Sequence, residues 1–225
     1  MDLLDWARGP LLAAALFVFF AGCGWRVIAL RRLPPGRIAG VARRPYGTAA
    51  AAGAAAQRFW PRHGLPASST LATFNPYLYH VGLAVVVFGY APHIAFVRRL
   101  TGLSWPALPD AAMYLAAGVT IASLALALLF RLTDLVLRRI SRADDHLTWA
   151  LTLLPLLTGM ALVGEPSPHV LARELVVYRT PLAVHLLSVE LLLAWFPFGK
   201  LMHGFLAVPA RMQLAHFLGR RGVRP

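Results

Sequence analysis

Five stretches of this chain approach the length of a bilayer crossing with few charges inside them, at about residues 10–30, 76–98, 111–137, 146–164 and 181–207. Hydrocarbon about 30 Å thick takes roughly 20 apolar residues of helix to cross. Backbone polar groups have no water to bond there, so each segment must satisfy its own, which a helix does. The sequence therefore predicts an all-α membrane protein, a bundle of five transmembrane helices forming one integral domain over residues 1–225. Composition agrees, with 58% of residues hydrophobic and only 14% charged, against about 25% in ordinary soluble domains.

The formal charge of +13 would suit a nucleic-acid binder if the basic residues lay along polar, foldable segments. They stand instead in pairs beside apolar runs, at Arg31/Arg32, Arg43/Arg44, Arg98/Arg99, Arg138/Arg139 and Arg220/Arg221, which is how charge orients helices in a bilayer. No nucleic acid is expected as a partner; membrane lipid is. The Arg-rich segments 31–62, 138–142 and 211–224 belong in the cytoplasm on this rule, which leaves the N-terminus outside and the C-terminus inside. Arg98 and Arg99, at the outer end of the second run, go against it. Residues 31–74 then form a cytoplasmic connection. Within it, Thr48 to Trp60 suits a short helix docked on a partner subunit, or a solvated linker. Phe20-Ala21-Gly22-Cys23 resembles a lipoprotein cleavage box, yet Asp2 and Asp5 precede the run while Arg26, Arg31 and Arg32 follow it. That order fits an uncleaved first span. The one cysteine, Cys23, excludes a disulfide framework and a self-supplied iron-sulfur cluster, so redox chemistry needs other ligands.

Histidine supplies them. His80, His93, His185 and His203 fall inside the apolar runs, where an ionisable ring is costly unless it faces the interior and has a partner. His185 and His203 are eighteen residues apart, five whole helical turns, so both rings leave one face about 27 Å apart along the axis. They are too far apart to share a metal ion, but each can ligate its own haem from one side. Opposing ligands at matching depths come from the antiparallel second run: His80 pairs with His203 near the cytoplasmic face, and His93 with His185 toward the outer face. His63, His169 and His216 sit in polar segments and read as solvated, and His146 as part of a helix start.

Two stretches then resemble the gamma subunit of respiratory nitrate reductase and its relatives, a family of five-helix membrane cytochromes b. One is Asn75-Pro76-Tyr77-Leu78-Tyr79-His80-Val81-Gly82-Leu83 through Phe88-Gly89-Tyr90. The other runs from His185 through Phe196-Pro197-Phe198-Gly199-Lys200-Leu201-Met202-His203 to Val208-Pro209. The resemblance implies a multi-pass protein of the bacterial cytoplasmic membrane with two b haems. A quinol from the quinone pool is oxidised near the outer haem and its protons leave to the outside. Electrons pass through the inner haem to an iron-sulfur subunit and a catalytic subunit on the cytoplasmic side, as in a nitrate reductase-like complex. The terminal substrate and the direction of electron flow stay open.

One departure is plain. The family's outer ligand on the second helix follows the inner one by ten residues and comes directly after Gly, which places it at Tyr90, behind Gly89. Here His93 comes three residues later, behind Pro92. Three readings stand: His93 replaces the family ligand, Tyr90 ligates or donates a hydrogen bond beside it, or the outer haem is missing or singly held. Lys200 and Arg211 near the inner level, and Arg179 near the outer, are candidates to pair with haem propionates or to snorkel to headgroups. Glu190, a carboxylate inside a span, is a candidate for quinol proton release, although five residues of helix turn it about 140° from His185. From a different class, the same residues suit a haem-free membrane anchor or a proton-relaying transporter subunit.

Overall fold

The computed structural model describes residues 2–32, 45–59, 67–162 and 179–223. Every regular element among these residues is helical. Among the described residues, three helical stretches are long and apolar enough to cross a membrane: Leu3–Arg32, Thr70–Gly89 and Asp110–Thr133. A fourth is reached if Arg179–Trp195 and Lys200–Arg220 count as one interrupted span. Helix Ala143–Met160, over the fourth expected run, is not among them; it opens on Asp144 and Asp145, and the end of that run lies outside the described residues. His63 and His169 lie outside them too.

The chain divides into two compact units, residues 1–16 with 66–194, and residues 17–65 with 195–225. In the first unit, α1 (Leu3–Arg8) leads into the start of α2 (Pro10–Arg32), and later come α4 (Ala67–Gly89), α5 (Ala91–Thr101), α6 (Asp110–Thr133), α7 (Leu135–Ile140), α8 (Ala143–Met160) and α9 (Arg179–Trp195). The second unit holds the rest of α2, α3 (Thr48–Gln57), a single 3₁₀ turn at Lys200–Met202, and α10 (His203–Arg220).

In the first unit α6 packs on both α4 and α8. Lipid is as apolar as leucine, so two such helices gain by close approach and by polar bonds rather than by hiding from water. Gly82 provides the approach: a Cβ there would collide with the hydroxyl of Thr120, which is fully buried and back-bonds to Ala116 O at 2.6 Å. Asn75 provides the polar bonds. It donates from Nδ2 to Ser123 O at 2.9 Å, and Ser123 Oγ donates to Asn75 Oδ1 at 2.7 Å. Trp149 Nε1 of α8 donates to Leu124 O of α6 at 2.8 Å.

At the end of α6, Arg131 pairs with Asp145 at 3.2 Å and donates to Ser141 Oγ at 2.9 Å. Asp134, although it stands between Arg131 and Arg138 in sequence, makes no ion pair among the described residues. Its backbone leaves the helical region, and its carboxylate caps α7 by accepting from Leu137 N–H at 2.8 Å, the usual work of a short acidic side chain at a helix start.

In the second unit the alanine tract forms α3 and packs on α10 of its own chain, with Ala51, Ala55, Ala215 and Gly219 buried. The ten residues of α3 are too few to hold a helix alone even with alanine's propensity, so this packing is what maintains it. Phe19 of α2 meets Phe196 edge-on at 5.1 Å, and Gly22 admits Pro197, which a Cβ would approach to 2.7 Å.

Candidate functional site

The second expected span is interrupted. Tyr90 has extended backbone between α4 and α5, and Pro92 follows at the start of α5. Proline has no N–H to give the Phe88 carbonyl four residues back, and an unsatisfied carbonyl in lipid costs several kcal/mol. Trp105 Nε1 donates to Phe88 O at 2.6 Å, and the Leu108 N–H donates to Gly89 O at 2.9 Å. Segment 102–109 thus folds back over the break; the reversal begins at Gly102, whose φ of +79° closes α5 in the left-handed conformation glycine favours.

The break also positions His93. Its Nδ1 lies 3.0 Å from Val86 O, seven residues back. A carbonyl only accepts, so Nδ1 carries the hydrogen and the lone pair is on Nε2. Tyr90 stands edge-on to this ring at 5.3 Å.

His185, on α9, lies beside it. The two imidazoles have centroids 6.3 Å apart and planes 14° from parallel. A hydroxyl cluster at the α8–α9 junction fixes His185. Ser188 Oγ donates to His185 O at 2.6 Å, Thr158 Oγ1 lies 2.9 Å from Leu154 O and 3.0 Å from Ser188 Oγ, and His185 Nδ1 lies 3.1 Å from Thr158 Oγ1. Each hydroxyl has one hydrogen. Ser188 spends its own on the His185 carbonyl, and Thr158 has Leu154 O or Ser188 Oγ to receive its own. With its hydrogen so placed, Thr158 has a lone pair for His185 Nδ1–H, and in that tautomer the His185 lone pair is on Nε2. Gly159 makes room: a Cβ there would sit 3.2 Å from His185 Cε1. Sequence reasoning missed Thr158, Ser188 and Gly159, whose only signal was small or polar residue type within apolar runs.

Metal-bound imidazole nitrogens sit about 2.0–2.1 Å from the ion and about 1.1 Å from their own ring centre, so two imidazoles on opposite sides of one ion have centroids about 6.3 Å apart. The separation observed here fits that arrangement. Outward hydrogen bonds from Nδ1 are what orient such ligands. Among the described residues no three His, Cys, Asp or Glu side chains gather as they would around a bare ion. A two-imidazole site suits a group that brings its other ligands, as the four nitrogens of a porphyrin do.

His80, in the first unit, and His203, in the second, are each described within their own unit. Both are exposed and show the same tautomer, His80 Nδ1 bonding Pro76 O at 2.5 Å and His203 Nδ1 bonding Lys200 O at 2.8 Å. Lys200 opens the 3₁₀ turn, exposed. Arg211 donates to Arg58 O and lies over the Phe59 ring at 4.1 Å. Arg179 is held by Asp2 and, at 3.3 Å, by Asp5; the Asp5 backbone N–H first, and then Arg179, hold the Asp2 carboxyl below its ordinary range. Glu190 is buried, and among the described residues its Oε1 has no hydrogen-bond partner.

No protein-family model and no solved structure matches the chain. A protein of Nitratidesulfovibrio vulgaris (strain Hildenborough) is 30% identical over 213 residues, spanning 92% of this chain and 89% of its own. Likeness at that level over nearly the full length of both shows common descent, and the chain belongs to the same family as this Nitratidesulfovibrio vulgaris protein.

Proposed function

We propose that the chain is a membrane-embedded b-type haem subunit that exchanges electrons between the quinone pool and a cytoplasmic iron-sulfur and catalytic partner. The observation that carries this is the His93–His185 pair: 6.3 Å between centroids and 14° between planes, with each Nδ1 turned to its own acceptor. A haem bound there supplies one-electron exchange. The chain's part is to hold two near-parallel imidazoles at that separation, to engage their Nδ1 atoms through Val86 O and Thr158 Oγ1, and to seat them among apolar helices. His93 is the outer ligand on the second run in this reading, with Tyr90 packed against it. A second haem between His80 and His203, quinol oxidation at the outer level, five spans with the N-terminus outside, residence in the bacterial cytoplasmic membrane, and likeness to the nitrate reductase gamma family rest on the sequence alone.

The test is a reduced-minus-oxidised spectrum and a haem-to-protein ratio on protein made by haem-competent cells. A b-type spectrum is expected, with one haem lost in His93→Ala and in His185→Ala and retained in His63→Ala. A colourless wild type overturns the reading and favours a proton relay built on His185, Thr158, Ser188 and the buried Glu190. If His93→Ala keeps every haem while Tyr90→Phe loses one, the ligand assignment is wrong and the cytochrome reading survives.

A further inference from the structure

The charge of the chain is divided unequally. Residues 17–65 and 195–225 contain no Asp or Glu, so the whole formal +13 belongs to the second unit, while in the first unit the nine acidic residues are matched by as many basic ones. Within the second unit, Arg58 follows the last turn of α3 and its Nε is buried with no hydrogen-bond partner among the described residues. A buried cationic donor without an acceptor is costly. The cation nearest at hand is no help: Arg211 of α10 reaches the same place, donates to the Arg58 carbonyl and stacks on Phe59. Arg211 thus reaches the backbone of Arg58, and neither arginine has an Asp or Glu in its own unit to answer it. Apolar side chains stand exposed in the same unit, Phe59 beside the pair and Phe205, Val208 and Leu214 along α10.

We propose that Arg58 and Arg211 form a binding site for the phosphate of an anionic phospholipid headgroup, with the exposed apolar residues of α10 along its acyl chains. Guanidinium forks match phosphate oxygens two at a time, and clustered basic residues beside apolar helix are how proteins hold anionic lipid. A phospholipid meets both observations together, cationic donors and exposed apolar surface, where an acidic protein segment or free phosphate meets only the first.

The experiment uses the full chain in vesicles of phosphatidylcholine with or without phosphatidylglycerol, and reads lipid retained in native mass spectrometry after detergent extraction, with the thermal midpoint alongside. Phosphatidylglycerol is expected to stay bound and to raise the midpoint. Arg58→Gln and Arg211→Gln each lose about tenfold in retention, the scale of one charge-assisted hydrogen bond. Arg220→Gln, exposed at the end of α10, retains as wild type. Arg58→Lys, which keeps the charge but not the fork, should fold and still lose retention, so misfolding of the Gln variant does not decide the matter. Equal retention in wild type and in the Arg58 and Arg211 variants overturns the proposal, as does inorganic phosphate reproducing the stabilisation alone. So does a result in which the variants lose a co-purifying acidic protein while lipid retention stays unchanged. None of these readouts needs haem, so the proposal stands or falls separately from the electron-transfer reading.

Discussion

At the residue scale, Thr158 does more for the site than its modest size suggests. Its Oγ1 lies 3.1 Å from His185 Nδ1 and 3.0 Å from Ser188 Oγ, and loss of an outer partner to a ligating imidazole typically costs ten- to a hundredfold in metal-group affinity. Thr158→Val is expected to weaken haem retention by about tenfold while thermal unfolding changes little; Thr158→Ser should restore it, and titration with added haem measures both. Gly159→Val should produce the same loss by pressing on the His185 ring, since even a Cβ would come within 3.2 Å of Cε1. The juxtaposition of His93 and His185 was expected from spacing and topology. Thr158 was not, because a threonine in an apolar run is ordinary on its own, and only the approach of α9 to α8 gives it a partner.

At the element scale, the sequence suggested a continuous helix over 76–98, and the structure interrupts it at Tyr90. Pro92 was visible, but its consequence lies in Trp105 and Leu108, which a helical count cannot anticipate. Counting by turns misplaces residues beyond such a break, and past it His93, three residues after the family's position at Tyr90, lies beside His185. Pro92→Ala should let α4 run on and turn His93 away from His185, removing one haem from the protein without unfolding it; the haem-to-protein ratio checks this. Close packing of α4 on α6 was likewise hidden. Gly82→Ala places a methyl against Thr120, and overpacking of this kind costs about 1–3 kcal/mol, read as a lowered melting temperature and partly relieved by adding Thr120→Ala. The α1 tether behaves differently. Asp2 titrates below its unfolded value, so its contribution is present above that value and is lost as pH falls through the lowered one. Hydrogen exchange over residues 2–16 should therefore rise only under acid, and Asp2→Asn should raise it at neutral pH.

At the scale of the whole molecule, helical class and membrane-crossing character were readable from apolar length alone. The fate of the fourth and fifth runs was less so, because Asp144 and Asp145 lower the apolarity of one helix while the turn after Trp195 breaks the other without any loss of apolarity. A C-terminal fluorescent fusion is expected to glow, and a periplasm-dependent reporter in the same place to stay silent, if basic segments lie inside; the reverse pattern inverts the orientation. The uneven division of charge has one more consequence. A unit without Asp or Glu has no acidic side chain of its own to pair with, and among its described residues Arg26 rests on Pro197 O and Arg221 on the Phe217 ring. Rising ionic strength screens only its self-repulsion, so that unit should grow sturdier in concentrated electrolyte, while the one containing Arg131–Asp145 and Arg179–Asp5 grows weaker.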